Sequence, residues 1–301
     1  MFRTATEARE ALAEHFEEAE PGVVEAFVAA LRPAVAFETD EEEGSCVLGF
    51  LPPLPEGIRW PERSEAVGRR VLAEHPKAGD GIYATRAFPM QFVGTFDCAE
   101  IAALTDEPLP AEGALLFFYD LTLGPWLDGP DVCRVLHIQE DGEFRPEPPA
   151  FAEAVEAERK LALERPDEFG LGRERLLELV PVFVHPIEGL RPVPALVLPP
   201  PGAPEASPAL DDGDGWEAHG VAKDETPFDT CLHMLGPPMP EQDDPRLGLE
   251  GGAAAWVLLL QIRIADWTGD DLMEGTVSFL IRREELAAAR FDRVHAVYQQ
   301  T

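Results

Sequence analysis

Lysine is nearly missing from this chain: Lys77, Lys160 and Lys223 are all there are. Together with arginine they give 24 basic residues against 57 acidic ones, a formal net charge of −33 in 301 residues. No run of Lys or Arg offers the basic stripe that exchanges counterions with phosphate, so nucleic acid and anionic membranes are excluded as expected partners. Cysteine is scarce as well. Cys46, Cys98, Cys133 and Cys231 stand far apart with no Cys-x-x-Cys pair, which excludes a zinc ribbon or disulfide scaffold and fits reduced thiols in a cytoplasm. Long apolar runs are also lacking. The opening Met1 to Glu7 has no signal-peptide core, and Ala253 to Gln261 falls well short of the roughly 20 residues of a membrane helix.

The common catalytic signatures are absent too: no nucleophile elbow, phosphate-binding loop, dinucleotide fingerprint or His-Glu-x-x-His helix occurs. No cofactor and no metal are expected. Cys231, His233 and His219 are too few and too irregularly spaced for a metal centre, and Asp211 to Gly215 lacks the ligand series of a calcium loop.

What is present is enough apolar residue, 45%, for a real core, and a pattern that occurs twice. Phe92-Val93-Gly94-Thr95-Phe96-Asp97, Gly113 to Phe118 and Arg134 to Ile138 are restated by Leu258 to Arg263, Gly275 to Leu280 and Arg293 to Val297. Each copy has a proline-rich lead-in, Leu51 to Gly57 and Gly236 to Gln242, that is unfit for a central strand. Thr4 with Glu7 forms a capping box, and the apolar spacing behind it predicts a helical hairpin over residues 1–35. Ala34 to Phe37 and Cys46 to Phe50 read as short strands around an acidic turn. Helices are predicted at Ser64 to Glu74, Ala99 to Leu104, Phe151 to Leu163, Arg173 to Leu179 and Arg283 to Arg290, with further strands at Pro181 to Val184 and Ala195 to Leu198. The proline- and aspartate-rich stretch Pro199 to Gly215 reads as a linker or long exposed loop.

His233-Met234-Leu235-Gly236-Pro237, the block Leu258 to Ile262, the strand Gly275 to Ile281 and Glu284 to Val294 resemble the YwqG-like family, a bacterial family of uncharacterised function. Leu54 to Pro61 and Gly113 to Tyr119 carry the likeness in the first half. The family usually has a glutamine where this chain has Thr95, and a glycine pair where it has Leu48-Gly49-Phe50. The resemblance implies an α+β fold of two pseudo-repeated strand-rich halves with flanking helices, here behind the N-terminal hairpin. The YwqG-like domain would span 36–301: a first repeat over about 46–140, a helical insertion over about 141–230 and a second repeat over about 231–301.

Five residues are candidates for a binding site. Gln261 interrupts an apolar strand, where a buried amide must find partners: either a ligand or the neighbouring backbone. Thr95 is its counterpart in the first copy, which would give a cleft unequal walls. Asp97 and Asp266, with Glu285, are carboxylates suited to acid-base work or cation binding in such a cleft. Trp267, like Trp126 and Trp216, is placed in a polar loop containing Gly or Asp and reads as an exposed recognition tryptophan, whereas Trp60 and Trp256 read as core. His137 and His295 fall near one another in the repeated third strand but out of step by about two positions. The chain is thus expected to be a non-catalytic acidic protein that binds a basic protein, in one version as an immunity-type inhibitor of a basic toxin or nuclease. The alternative is an enzyme or small-ligand sensor with its site in the cleft between the repeats.

Overall fold

The computed structural model describes residues 1–16, 22–40, 44–49, 51–76, 84–140, 142–164, 188–206, 213–224, 226–228, 232–269 and 274–300. It is a mixed α+β structure built on a nearly closed antiparallel sheet of ten strands. In chain order these are β1 (Arg32–Thr39), β2 (Cys46–Leu48), β6 (Gln91–Asp97), β7 (Ala114–Tyr119), β8 (Cys133–Ile138), β10 (Glu188–Val197), β11 (His233–Met234), β12 (Trp256–Arg263), β13 (Thr276–Arg282) and β14 (His295–Gln299). Their spatial order is β14-β13-β12-β11-β1-β10-β2-β6-β7-β8. Two short pairs lie outside the sheet, β3 (Pro53–Leu54) with β9 (Glu143–Phe144) and β4 (Glu62–Arg63) with β5 (Phe88–Pro89).

The strands on either side of the acidic turn do not pair with each other. Strand β10 lies between them, matched to β1 along Arg32 to Thr39 and to β2 only at Glu188 to Leu190. Pro192 and Pro194 fall between the pairing with β2, which stops at Leu190, and the isolated bridge of Leu196 to Phe2, where among the described residues no second ladder partner asks for their missing N–H groups. A segment read as an insertion therefore contributes a central strand.

The runs β6-β7-β8 and β12-β13-β14 occupy the two ends of the sheet and use the same local devices. Each first strand carries a register shift, between Phe92 and Gly94 and between Leu258 and Leu260. Each is followed by a one-turn helix, α4 (Cys98–Ala102) and α7 (Ile264–Thr268), whose first amide donates at 2.9 Å to the carbonyl of Gly113 or Gly275. Those glycines have φ of 85° and 100°, the left-handed region that a side chain resists.

The two ends meet. Gly129, ahead of β8, exchanges backbone hydrogen bonds of 2.8 and 3.2 Å with Ala296 of β14, and the Asp128 carboxylate accepts from the Tyr298 amide at 3.1 Å. Curling the sheet this way places its inward side chains in one apolar interior. Phe37, Phe96, Phe117 and Phe279 cross it as a series of edge-to-face contacts with centroids 5.1–5.3 Å apart. Cys46, Cys98 and Cys133 are buried there as free thiols, pushed up to about 12 by desolvation.

Outside, the proline-rich lead-ins and the helices cover the sheet. Helix α1 (Ala5–His15) starts at Thr4, whose hydroxyl accepts from the Glu7 amide as the capping box predicts. It packs with α2 (Val23–Ala30) and α6 (Gly213–Asp224) over Leu198, through Leu12, Phe27 and Val221. Helix α3 (Glu65–Glu74) has Ser64 as its cap, α5 spans Pro149–Glu164, and α8 (Arg283–Ala287) follows β13. Among the described residues no helix is long and apolar enough to cross a membrane. The predicted Arg173 to Leu179 helix and Pro181 to Val184 strand lie outside the described residues. Of the stretch Pro199 to Gly215, residues 207–212 do as well, and its last three residues open α6.

Candidate functional site

A cavity of about 690 Å³ is a cleft between elements distant in sequence. One wall is the start of β1 with the loop after α4, and the other is Leu235 to Pro237, the start of β12 and the first residue of α8. Three guanidinium groups line it, those of Arg32, Arg246 and Arg283. For a chain this acidic, that concentration of arginine needs local causes.

Arg246 is 2% exposed and held on two sides. It contacts both oxygens of Asp244, at 2.7 to 3.2 Å, and forms a two-pronged pair with Glu205 at 2.8 and 2.9 Å. Burial alone would disfavour its charge, but the hydrogen bonds to Asp244 and Glu205 outweigh that, and its pKa is raised. Glu205 shows the reverse: burial pushes it up, the Arg246 fork more than offsets this, and the net shift is downward. Arg283 reaches across the mouth to Glu107, at 2.9 and 3.1 Å. Arg32 is bound instead to carbonyls, donating to Ala30, Leu31 and Glu205 at 2.8–3.0 Å, where it satisfies the exposed end of α2.

The floor is rigid. Leu235 has φ of +59°, uncommon for a side chain of its size, and its amide donates to Leu258 at 3.0 Å. The next residue, Gly236, lies against Ala34, where an added Cβ would come within 2.5 Å of the Ala34 methyl. His233 fixes the same turn through Nε2 to the Pro237 carbonyl at 3.0 Å. Trp256 is buried beneath Arg282, whose guanidinium sits 5.2 Å from its ring. Among the described lining residues Thr105 carries the only hydroxyl, and none is His, Cys or Lys. The wall can donate hydrogen bonds and exchange ion pairs, but it presents no activated nucleophile.

None of the five residues singled out in the sequence lines this cleft. Gln261 is buried on β12 with both ends of its amide on Met239: Oε1 accepts from the Met239 N–H at 2.8 Å, and Nε2 donates to the Met239 carbonyl at 2.5 Å. It ties the second lead-in to the sheet. Thr95, half-buried on β6 between Val47 and Leu116, is five strands from Gln261 in either direction around the nearly closed sheet, so the two share no wall. Asp97 caps α4, accepting from the Glu100 amide at 2.8 Å. Asp266 pairs with Arg263 at 2.6 and 3.1 Å. Glu285 is paired with Arg290.

Trp267 corrects an expectation. It is fully buried rather than exposed, because α7 turns it into the barrel, where Nε1 donates to the Phe92 carbonyl at 3.1 Å beside the register shift of β6. Trp126 and Trp216 are exposed, at 42% and 41%, although Trp216 stands on α6 rather than in a loop. His137 and His295 sit opposite Leu115 and Leu280 and are not brought together. Cys231 lies outside the described residues. The groups of His, Cys, Asp and Glu that are described include no cluster of three suited to a metal. Of the cleft's lining, Leu235-Gly236-Pro237 stood out in the sequence only as part of the family likeness and not as a site; nothing local in the sequence pairs Arg246 with Glu205 or Arg283 with Glu107.

A strand-rich α+β fold with a guanidinium-lined cleft is thus the class of protein at hand. The chain matches, over residues 47–299, the family described as "Domain of unknown function (DUF1963)", and it belongs to that family. No curated protein matches it.

Proposed function

We propose that this chain is a non-catalytic binding protein whose partner is a basic protein, docking over the Arg32–Arg246–Arg283 cleft. The observation that carries the reading is how the cleft's charges are spent. Its arginines are tied to Glu205, Asp244, Glu107 and backbone carbonyls, while Asp106 at the rim is exposed and makes no ion pair among the described residues. An arginine or lysine arriving from a partner would meet Asp106 and could take Glu107 from Arg283. The net charge of −33 would speed its approach. One version is an immunity-type inhibitor that masks a basic toxin or nuclease. Affinity capture from native lysate over a salt series, with the wild type beside Asp106→Arg/Glu107→Arg, tests this. A basic partner held at low salt and lost from the variant is the expected outcome, and equal retention by both sinks the reading.

A second reading, a small-ligand sensor, is favoured by the cleft volume, which lies in the range that takes small polar molecules. Saturable thermal stabilisation by a nucleotide, sugar or metal, abolished by Glu205→Gln, would select it. We also infer that the runs β6-β7-β8 and β12-β13-β14 derive from one duplicated unit. Support comes from their shared register shifts, following helices and left-handed glycines.

A further inference from the structure

Most described arginines are neutralised by a carboxylate, as the cleft illustrates. Arg59 and Arg145 are exceptions: among the described residues neither makes an ion pair, and the Arg145 Nε is buried with no hydrogen-bond partner. They stand together. Both line a groove of about 490 Å³ on the outer side of β6-β7-β8, walled by Leu54, Ile58, Trp60, Pro146 and Pro148. In a chain with 57 acidic residues, two unpaired guanidiniums beside one apolar groove are not what surface solubility requires.

The groove is built rather than incidental. Its walls come from two segments some ninety positions apart, joined where Pro53 and Leu54 pair with Phe144 and Glu143, and where the Arg145 amide donates to the Pro52 carbonyl at 3.1 Å. Trp60 is fixed by its Nε1 hydrogen bond to the Met90 carbonyl at 2.8 Å and by edge contacts with Phe118 and Phe151 at 5.8 and 6.1 Å. Ile58 and Phe144 remain 44% and 60% exposed, large apolar side chains left uncovered at the groove and on the adjoining strand. Pro146 and Pro148 fix the backbone of one wall and cannot donate hydrogen bonds, and the other wall turns at Gly57, where the Ile58 amide donates to the Pro55 carbonyl at 3.1 Å.

We propose that this groove docks a segment of a partner protein in which a carboxylate adjoins an aromatic or branched apolar side chain. The apolar side chain covers Ile58 and Trp60, and the carboxylate is taken by the guanidiniums of Arg59 and Arg145, whose planar fork suits it. The occupant is a peptide segment because the groove is largely open to solvent. A free small molecule would leave much of its own surface in water there, whereas Trp and Arg flanking an apolar patch are the groups that anchor protein segments.

The acidity of the chain does not forbid this. At physiological ionic strength charges beyond about 8 Å are largely screened, so the nearest groups decide. Beside the two arginines, the carboxylates next to the lining residues in sequence are Glu56, Glu143 and Glu147, which make no ion pair with them among the described residues. Glu147, between the two wall prolines, has its pKa raised by partial burial, which weakens its claim on either arginine. The site is independent of the cleft, with opposite charge preference.

The test uses the full chain and a fluorescent peptide in which phenylalanine and glutamate alternate, followed by anisotropy. Saturable binding is expected, weakened roughly tenfold or more by Arg59→Ala/Arg145→Ala and also by Ile58→Ser, with unchanged melting temperatures in both variants. A serine-for-phenylalanine counterpart should bind at least about tenfold more weakly than the parent peptide. No saturable binding, or binding that the arginine variant leaves intact, overturns the proposal. So does equal affinity for the serine counterpart, which would mean charge alone. Full competition by phenylacetate at equimolar concentration would make the occupant a small carboxylate. A wild-type dimer by light scattering that the arginine variant abolishes would make it a second copy of this chain. Either result also overturns it. Loss of this binding in a protein that still retains a basic partner through the cleft would leave the preceding reading untouched.

Discussion

Replacing Gln261 by leucine should loosen the second proline-rich lead-in from the sheet. The amide holds both the N–H and the carbonyl of Met239, a residue only 3% exposed, so neither backbone group can turn to water when the partner is removed. Leaving two buried groups unsatisfied costs about 1–3 kcal/mol each, and the extra apolar surface of leucine returns roughly 1–2 kcal/mol. The net expectation is a loss of about 1–4 kcal/mol, centred near 2.5 kcal/mol. With a urea slope near 3 kcal/mol per molar, the unfolding midpoint should fall by about 1 M, measured by tryptophan fluorescence and far-ultraviolet dichroism together. Gln261→Glu gives a sharper signature. One oxygen still accepts from the Met239 N–H, but the other faces the Met239 carbonyl, a clash of two acceptors that only a protonated carboxyl relieves. That variant should therefore regain stability as pH falls, opposite to the wild type. A leucine variant within about 0.5 kcal/mol of wild type, the error of such comparisons, would refute the staple and return Gln261 to the candidates for ligand contact.

Arg246→Met leaves the fully buried Asp244 carboxylate without its guanidinium and should cost about 3–5 kcal/mol in urea melts. The double variant Asp244→Asn/Arg246→Met should recover part of that. His219 is buried on α6 with Nδ1 3.2 Å from the Leu198 carbonyl, and desolvation brings its pKa down to about 4. The unfolded chain then binds a proton that the folded one refuses. Stability is full above the ordinary value near 6.5 and declines, by about 3 kcal/mol in total, as pH falls towards 4. His219→Gln should flatten that decline in melts between these two limits. Alkylation of the native protein near pH 8 should leave Cys46, Cys98 and Cys133 unlabelled by peptide mass spectrometry, since their thiols are buried and raised to about 12; labelling without unfolding would contradict the packed interior.

Much of the fold is legible in the sequence because it rests on local chemistry. The Thr4 capping box, the Ser64 helix start and the glycines at 113 and 275 each announce their element. The partner of β1 is not legible. Residues 32–39 find 190–197, and nothing near either segment encodes a match across that much chain. Trp267 misled because polar neighbours describe the outside of a short helix and say nothing of which residue its inner face carries. Gln261 was recognisable as an amide in need of partners. That both partners would be one backbone residue, Met239, depends on how the lead-in folds back over β12.

The bridge between Gly129 and Ala296 also bears on how the chain is made. Synthesis runs from the N-terminus, so β6, β7 and β8 emerge early, yet the segment just ahead of β8 finds its bridge at Gly129 once β14 is made. Likewise β1 waits for β10 and then for β11. A nascent chain halted before β14 would carry apolar strands with open hydrogen-bonding edges, the state most prone to mispairing. Completion of the last strand is thus the step that ends exposure for the whole sheet, and variants weakening β14 should show their harm first during production in the cell.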